Sequence, residues 1–130
     1  MRARPLSPHM GIYRMTRYSL LTSFANRITG LVLSVGLLVF IYWLTCLARG
    51  ARAYARAQEV LGSDVAKLVY VAVIAAFSYH LVAGVRHLIW DTGRGLEKAQ
   101  SQRSAWLVIA AALLLAAVAL WWAWRAREGV

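Results

Sequence analysis

Three stretches of this chain carry no Asp, Glu, Lys or Arg, and each is close to the length of a bilayer crossing. They run from Ile28 to Ala48, from Leu68 to Val85 and from Trp106 to Trp124. At about 1.5 Å per residue, a helix over any of them spans most or all of a hydrocarbon core about 30 Å thick. No water reaches the core, so each backbone N–H and C=O must be satisfied inside the segment or in a closed barrel. The apolar runs are continuous rather than alternating, so helices are predicted. The expected fold is all-α: an integral membrane protein with three transmembrane helices and an N-terminal interfacial arm. Residues 1–130 are expected to form a single domain, with spans at about 28–48, 66–90 and 105–124.

The composition agrees. Of the 130 residues, 61% are hydrophobic, more than a soluble domain of this size normally needs. Fifteen Lys and Arg oppose five Asp and Glu, a formal charge of +10. The basic residues flank the apolar runs, so lipid headgroups and acidic partner proteins are the expected counterparts, and nucleic acid is not. Cys46 is the one cysteine and lies in an apolar run, which excludes a disulfide framework and a CxxC metal site within this sequence. The segment ahead of Ile28 shows no long apolar core before a small-residue cleavage site, so insertion is expected to be directed by the first span.

Pro5 and Pro8 disfavour a helix at the start, which predicts an extended basic arm over residues 1–27. In the first span, Gly30 and Ser34 form a small-xxx-small pair suited to close helix packing. Residues 49–67 predict a short surface helix, with Gly62-Ser63-Asp64 as a break and cap. The second helix is expected to continue past the membrane edge and to stop near Gly93 or Gly95. Trp121, Trp122 and Trp124 end the third span as an aromatic belt, and that span is assigned to packing. Lys plus Arg counts are nine on the side of the N-terminus and residues 86–103, against six on the other side. That bias puts the N-terminus inside and the C-terminus outside.

Chemistry concentrates in two places. His80, Gly84, His87 and Asp91 fall at spacings of 4, 3 and 4 residues, one stripe on one helix face. An ionisable group in a membrane span is expensive and faces protein, a cofactor or water. His80 can be a haem ligand, with Gly84 leaving room for the ring's edge, or a polar link across a helix bundle. His87 cannot be the second ligand of the same iron. It sits about 10.5 Å further along the same side of the same helix, and two axial ligands must approach from opposite faces. His9 lies in the N-terminal arm, far from the expected depth of His80, so if two histidines ligate, the second comes from another chain. Arg86 and His87 lie near the membrane edge, where they suit haem propionates or simple anchoring. Asp91 can relay protons from the aqueous side, or be a solvated carboxylate.

The second place is the start of the first span. Ser23, Asn26, Arg27 and Gly30 share a helical face. A quinone carbonyl needs hydrogen-bond donors, and its reduced form gains from nearby positive charge. Ser23 and Arg27 can supply both, although a helix cap and a snorkelling anchor account for the same residues.

Together these residues resemble the cytochrome b-type membrane-anchor subunit of succinate dehydrogenase, respiratory complex II. The likeness covers Arg4-Pro5-Leu6-Ser7-Pro8-His9 with Ile12-Tyr13. It also covers Ser23 through Gly30, similar to the family's S-x-x-H-R-[IV]-[ST]-G, and His80-x-x-x-Gly84-Val85-Arg86-His87-Leu88-x-x-Asp91-x-Gly93. It implies a complex with a flavoprotein, an iron–sulfur protein and a second small membrane anchor, delivering electrons to ubiquinone. By the motif match, His80 corresponds to the haem b axial ligand, with the other histidine from the second anchor. Ser23 and Arg27 correspond to quinone-site residues, and Arg86 and His87 to positions near the haem propionates. Asn26 departs from the pattern, which usually has His there; Asn can hydrogen-bond but does not titrate near neutrality.

The expected function is therefore a haem b- and quinone-binding anchor in a bacterial inner membrane, with no dicarboxylate site of its own. The N-terminus is expected in the cytoplasm and the C-terminus in the periplasm. Two alternatives fit the sequence: the anchor of a quinol:fumarate reductase, and a non-redox three-span module using the His/Asp stripe for ions.

Overall fold

The computed structural model describes residues 17–128. The arm with Pro5, Pro8 and His9 lies outside the described residues. Four helices follow in order: α1 (Arg17–Ala48), α2 (Ala51–Leu61), α3 (Asp64–Asp91) and α4 (Lys98–Glu128). Three of them are long and apolar enough to cross a membrane, over Leu20–Ala48, Asp64–Asp91 and Lys98–Ala126.

Each long helix begins or ends well outside its uncharged run. α1 is already helical at Arg17, well ahead of Arg27, because the sequence between them contains neither proline nor glycine and nothing there stops propagation. Ser23 is consequently inside a helix and does not cap one. α4 starts at Lys98 rather than at the first tryptophan, which makes Lys98, Ser101 and Gln102 helical. α2 is the short surface helix expected between the first two spans, with Ala57 fully buried and Arg52 and Arg56 exposed. Ser63 caps α3, its hydroxyl accepting from the Ala66 N–H at 3.3 Å.

α3 is the central helix. It packs on α1 along one side and on α4 along another, while α1 and α4 barely meet. Apart from Arg86, the buried residues of α3 and α4 are small: Ala76, Ser78 and Ala83 on α3, and Ala105, Val108 and Ala112 on α4. Small side chains let helix backbones approach, which is how helices associate where lipid removes the hydrophobic drive. Gly36 serves the same purpose on α1, since a Cβ there would lie 2.9 Å from Val73 Cγ2. The large apolar side chains point outward. Leu31, Leu38, Leu113, Leu114 and Trp122 are all largely exposed, the reverse of a water-soluble core and suited to lipid.

The turn from α3 to α4 sets where α4 begins. Gly93 (φ 78°) and Gly95 (φ 75°) take left-handed backbone that side chains resist. Trp90 Nε1 donates to the Gly95 carbonyl at 3.1 Å and holds the turn against the end of α3.

Candidate functional site

The first turns of α1, the last turns of α3 and the start of α4 meet at one end of the bundle. Between them lies a cavity of about 420 Å³ lined by residues of all three helices. α1 contributes Ser23, Asn26 and Arg27; α3 contributes Tyr79, Arg86, His87 and Trp90; α4 contributes Lys98, Ser101 and Gln102. Ser23 and Arg27, one turn apart on α1, therefore open on a common space with Arg86 and His87. The lining is rich in donors and in positive charge, and among the described residues it holds no carboxylate. The site suits a ligand with carbonyl or anionic oxygens.

Arg86 is 8% exposed and is spent on α4. Its Nε donates to Ser104 Oγ at 2.9 Å, and its Nη2 donates to the Ser101 carbonyl at 2.8 Å and Ser101 Oγ at 3.2 Å. The guanidinium also lies 4.0 Å from the centre of the Trp90 ring. It thus ties α3 to α4 while presenting one edge to the cavity. His87 is exposed and meets the Trp90 ring edge-on at 5.2 Å between centroids. Tyr79 reaches across to α1, its hydroxyl donating to the Thr22 carbonyl at 3.2 Å. Asp91 is the exposed last residue of α3 and does not line the cavity.

His80 lies deeper, two turns before His87, and is half-buried against α1. Its ring packs over Gly30, where a Cβ would lie 3.5 Å from Cε1. Nδ1 is 3.2 Å from Thr29 Oγ1, and Nε2 meets no hydrogen-bond partner among the described residues. A Cβ added at Gly84, one turn along, would meet nothing within 4 Å, so that part of the face is open. Among the described residues no group of three His, Cys, Asp or Glu side chains converges.

Sequence patterning singles out Ser23, Arg27, His80, Arg86, His87 and Asp91. The fold brings Ser23, Arg27, Arg86 and His87 to one cavity, sets His80 deeper on the α1–α3 seam and leaves Asp91 at the rim. Tyr79, Lys98, Ser101, Gln102 and Thr29 carry no such signal. Three of them sit in the stretch that the sequence presents as a connection, and their hydroxyl, amide and ammonium groups become site residues only once α4 starts early. Thr29 occupies the [ST] position beside Gly30 in the quoted pattern, its one visible mark.

Residues 1–119 match the family described as succinate dehydrogenase/fumarate reductase transmembrane subunit. The chain is 38% identical over 117 residues to the succinate dehydrogenase cytochrome b556 subunit of Paracoccus denitrificans, covering 90% of this chain and 89% of that one. It is 36% identical over 118 residues to the cytochrome b556 subunit of Rickettsia conorii, covering 91% and 90%. It is 33% identical over 122 residues to the cytochrome b560 subunit of Reclinomonas americana, covering 89% and 83%. With nearly the whole chain matched and three apolar spans in place, this protein belongs to the succinate dehydrogenase/fumarate reductase transmembrane subunit family.

Proposed function

We propose that this chain is the haem b- and quinone-binding membrane anchor of a succinate dehydrogenase, passing electrons from the iron–sulfur subunit to ubiquinone in a bacterial inner membrane. The observation that carries the reading is the pairing, at one end of the bundle, of a donor-lined cavity holding Ser23 and Arg27 with a deeper imidazole whose Nε2 is uncommitted among the described residues. The names of the relatives, cytochrome b subunits of succinate dehydrogenase, support it.

The residues fit a haem. His80 offers one neutral nitrogen from an apolar helix face, and the open space over Gly84 leaves room for a flat ring. His80 is the ligand from this chain. A second histidine would come from a second small anchor, as the resemblance to the family implies; His87 lies on the same side of the same helix as His80 and would not serve the same iron. Arg86 and His87, which line the cavity, would meet the haem propionates. When bound, haem supplies a one-electron carrier within the membrane.

The quinone headgroup belongs in the cavity. Ser23 Oγ and the Arg27 guanidinium donate to its carbonyl oxygens, and the positive charge favours the reduced form. Two electrons from the iron–sulfur subunit and two protons convert quinone to quinol. Asp91, exposed at the end of α3, is positioned to exchange protons with the adjoining water. The partners are a flavoprotein that oxidises succinate, the iron–sulfur subunit, the second anchor and the bilayer.

The test compares quinone reductase with artificial-acceptor activity on membranes holding equal assembled enzyme. Removing a charged donor costs about 1.5–3 kcal/mol, roughly 10- to 150-fold in the step that uses it. Arg27→Ala is expected to lose that much quinone reduction, Ser23→Ala less, and Arg27→Lys to recover part. Succinate oxidation by an acceptor upstream of quinone persists in all three. Normal quinone turnover in Arg27→Ala would make Arg27 an interfacial anchor and end the quinone assignment.

A further inference from the structure

Thr29 Oγ1 has three polar neighbours and one proton. The Ala25 carbonyl lies at 2.8 Å, the Asn26 carbonyl at 3.1 Å and His80 Nδ1 at 3.2 Å. Both carbonyls can only accept. If the hydroxyl gave its proton to Nδ1, its oxygen would face the nearby Ala25 carbonyl oxygen with no hydrogen between them. Donation along the helix to Ala25 or Asn26 removes that clash and leaves a hydroxyl lone pair facing Nδ1. Nδ1 must then carry the hydrogen and donate. In a neutral imidazole the other nitrogen is left as the bare acceptor.

We infer that Thr29 is a positioning residue for His80: it accepts from Nδ1–H, fixes the tautomer with Nε2 unprotonated, and aims the ring. This rests on the haem reading of His80 given above and goes beyond it, since the roles assigned there stop at the ligand. A hydrogen bond at the far nitrogen of a ligating histidine sets ring orientation and raises its basicity. A more basic ligand favours ferric over ferrous iron, so this contact holds the potential down. Gly30 complements Thr29 by giving the ring space at Cε1, where a Cβ would already be in contact at 3.5 Å.

The experiment uses the assembled complex carrying Thr29→Val, which keeps the branched shape, and Thr29→Ser, which keeps the hydroxyl. Haem content, the midpoint potential and the low-spin electron paramagnetic resonance spectrum are measured in each. Thr29→Val is expected to raise the midpoint potential, about 59 mV for each tenfold fall in ferric-over-ferrous preference. It is also expected to shift the resonance and to weaken haem retention by about 10- to 100-fold. Thr29→Ser restores all three. Loss of haem in the valine variant alone also supports the inference. A valine variant with the parent's potential and spectrum overturns it, as does a serine variant that fails in the same way as valine. A His80→Ala control separates the two levels: retained axial ligation there defeats the haem reading, whereas haem loss there with a silent Thr29→Val defeats only the role of Thr29.

Discussion

Replacing Arg86 by Met should loosen the α3–α4 seam by about 2–3 kcal/mol. The side chain is buried and makes three donor contacts to α4, at 2.8, 2.9 and 3.2 Å, besides lying over Trp90. A hydrogen bond from a charged donor contributes about 1.5–3 kcal/mol, and the three contacts are not additive because they share one rigid fork. The contact with the ring adds about 0.5–1 kcal/mol. Two effects oppose the loss. Methionine removes the desolvation penalty of a buried cation, and the Ser104 hydroxyl keeps its bond to the Ser101 carbonyl at 3.0 Å, so it is not orphaned. The net falls in the lower half of the gross range. The assay is dodecyl sulfate titration of the full-length chain in mixed micelles, followed by tryptophan fluorescence. Ser104→Ala should cost less in the Arg86→Met background than in the parent, with a coupling of about 1 kcal/mol. An Arg86→Met chain within about 0.5 kcal/mol of the parent would refute the idea that the guanidinium ties these helices.

Two further outcomes are expected. Gly36→Ala puts a methyl 2.9 Å from Val73 Cγ2. That neighbour is stiff and β-branched, so the change should destabilise the chain by about 1–3 kcal/mol in the same titration. Val73→Ala should relieve much of that cost, and undiminished stability of Gly36→Ala alone would mean that the α1–α3 contact is looser than the distance implies. In a Cys46→Ala background, a cysteine at exposed Gln100 should label from the cytoplasmic side and one at exposed Ala55 from the periplasmic side, following the nine-to-six charge bias. The reverse pattern would invert the orientation.

The three spans were legible because lipid leaves a chain few solutions, and uncharged runs about as long as a bilayer is thick announce them. The α2 helix, its stop at Gly62 and the Ser63 cap of α3 were legible from glycine and cap chemistry. The helix ends were harder. Charged residues such as Arg27 and Arg103 mark where hydrocarbon stops, not where hydrogen bonding stops, so α1 and α4 extend past them to Arg17 and Lys98. That extension builds the cavity, because it puts Ser101 and Gln102 on a helix facing Arg86 and Arg27. Periodicity placed Arg86 correctly on α3 but said nothing of its partners on α4. The contact between Thr29 and His80 was beyond sequence reading, since the two are far apart in the chain and only the α1–α3 packing joins them.

In the proposed function His80 is the one residue of this chain that would hold iron. Haem content and the reduced visible spectrum of the assembled complex, measured for His80→Ala and His87→Ala, test it most directly. His80→Ala should lose the b-type haem signal or its normal axial ligation, while His87→Ala, two turns nearer the rim, should keep iron ligation largely intact. Equal loss of axial ligation in both variants, or a normal spectrum in His80→Ala, would contradict the account.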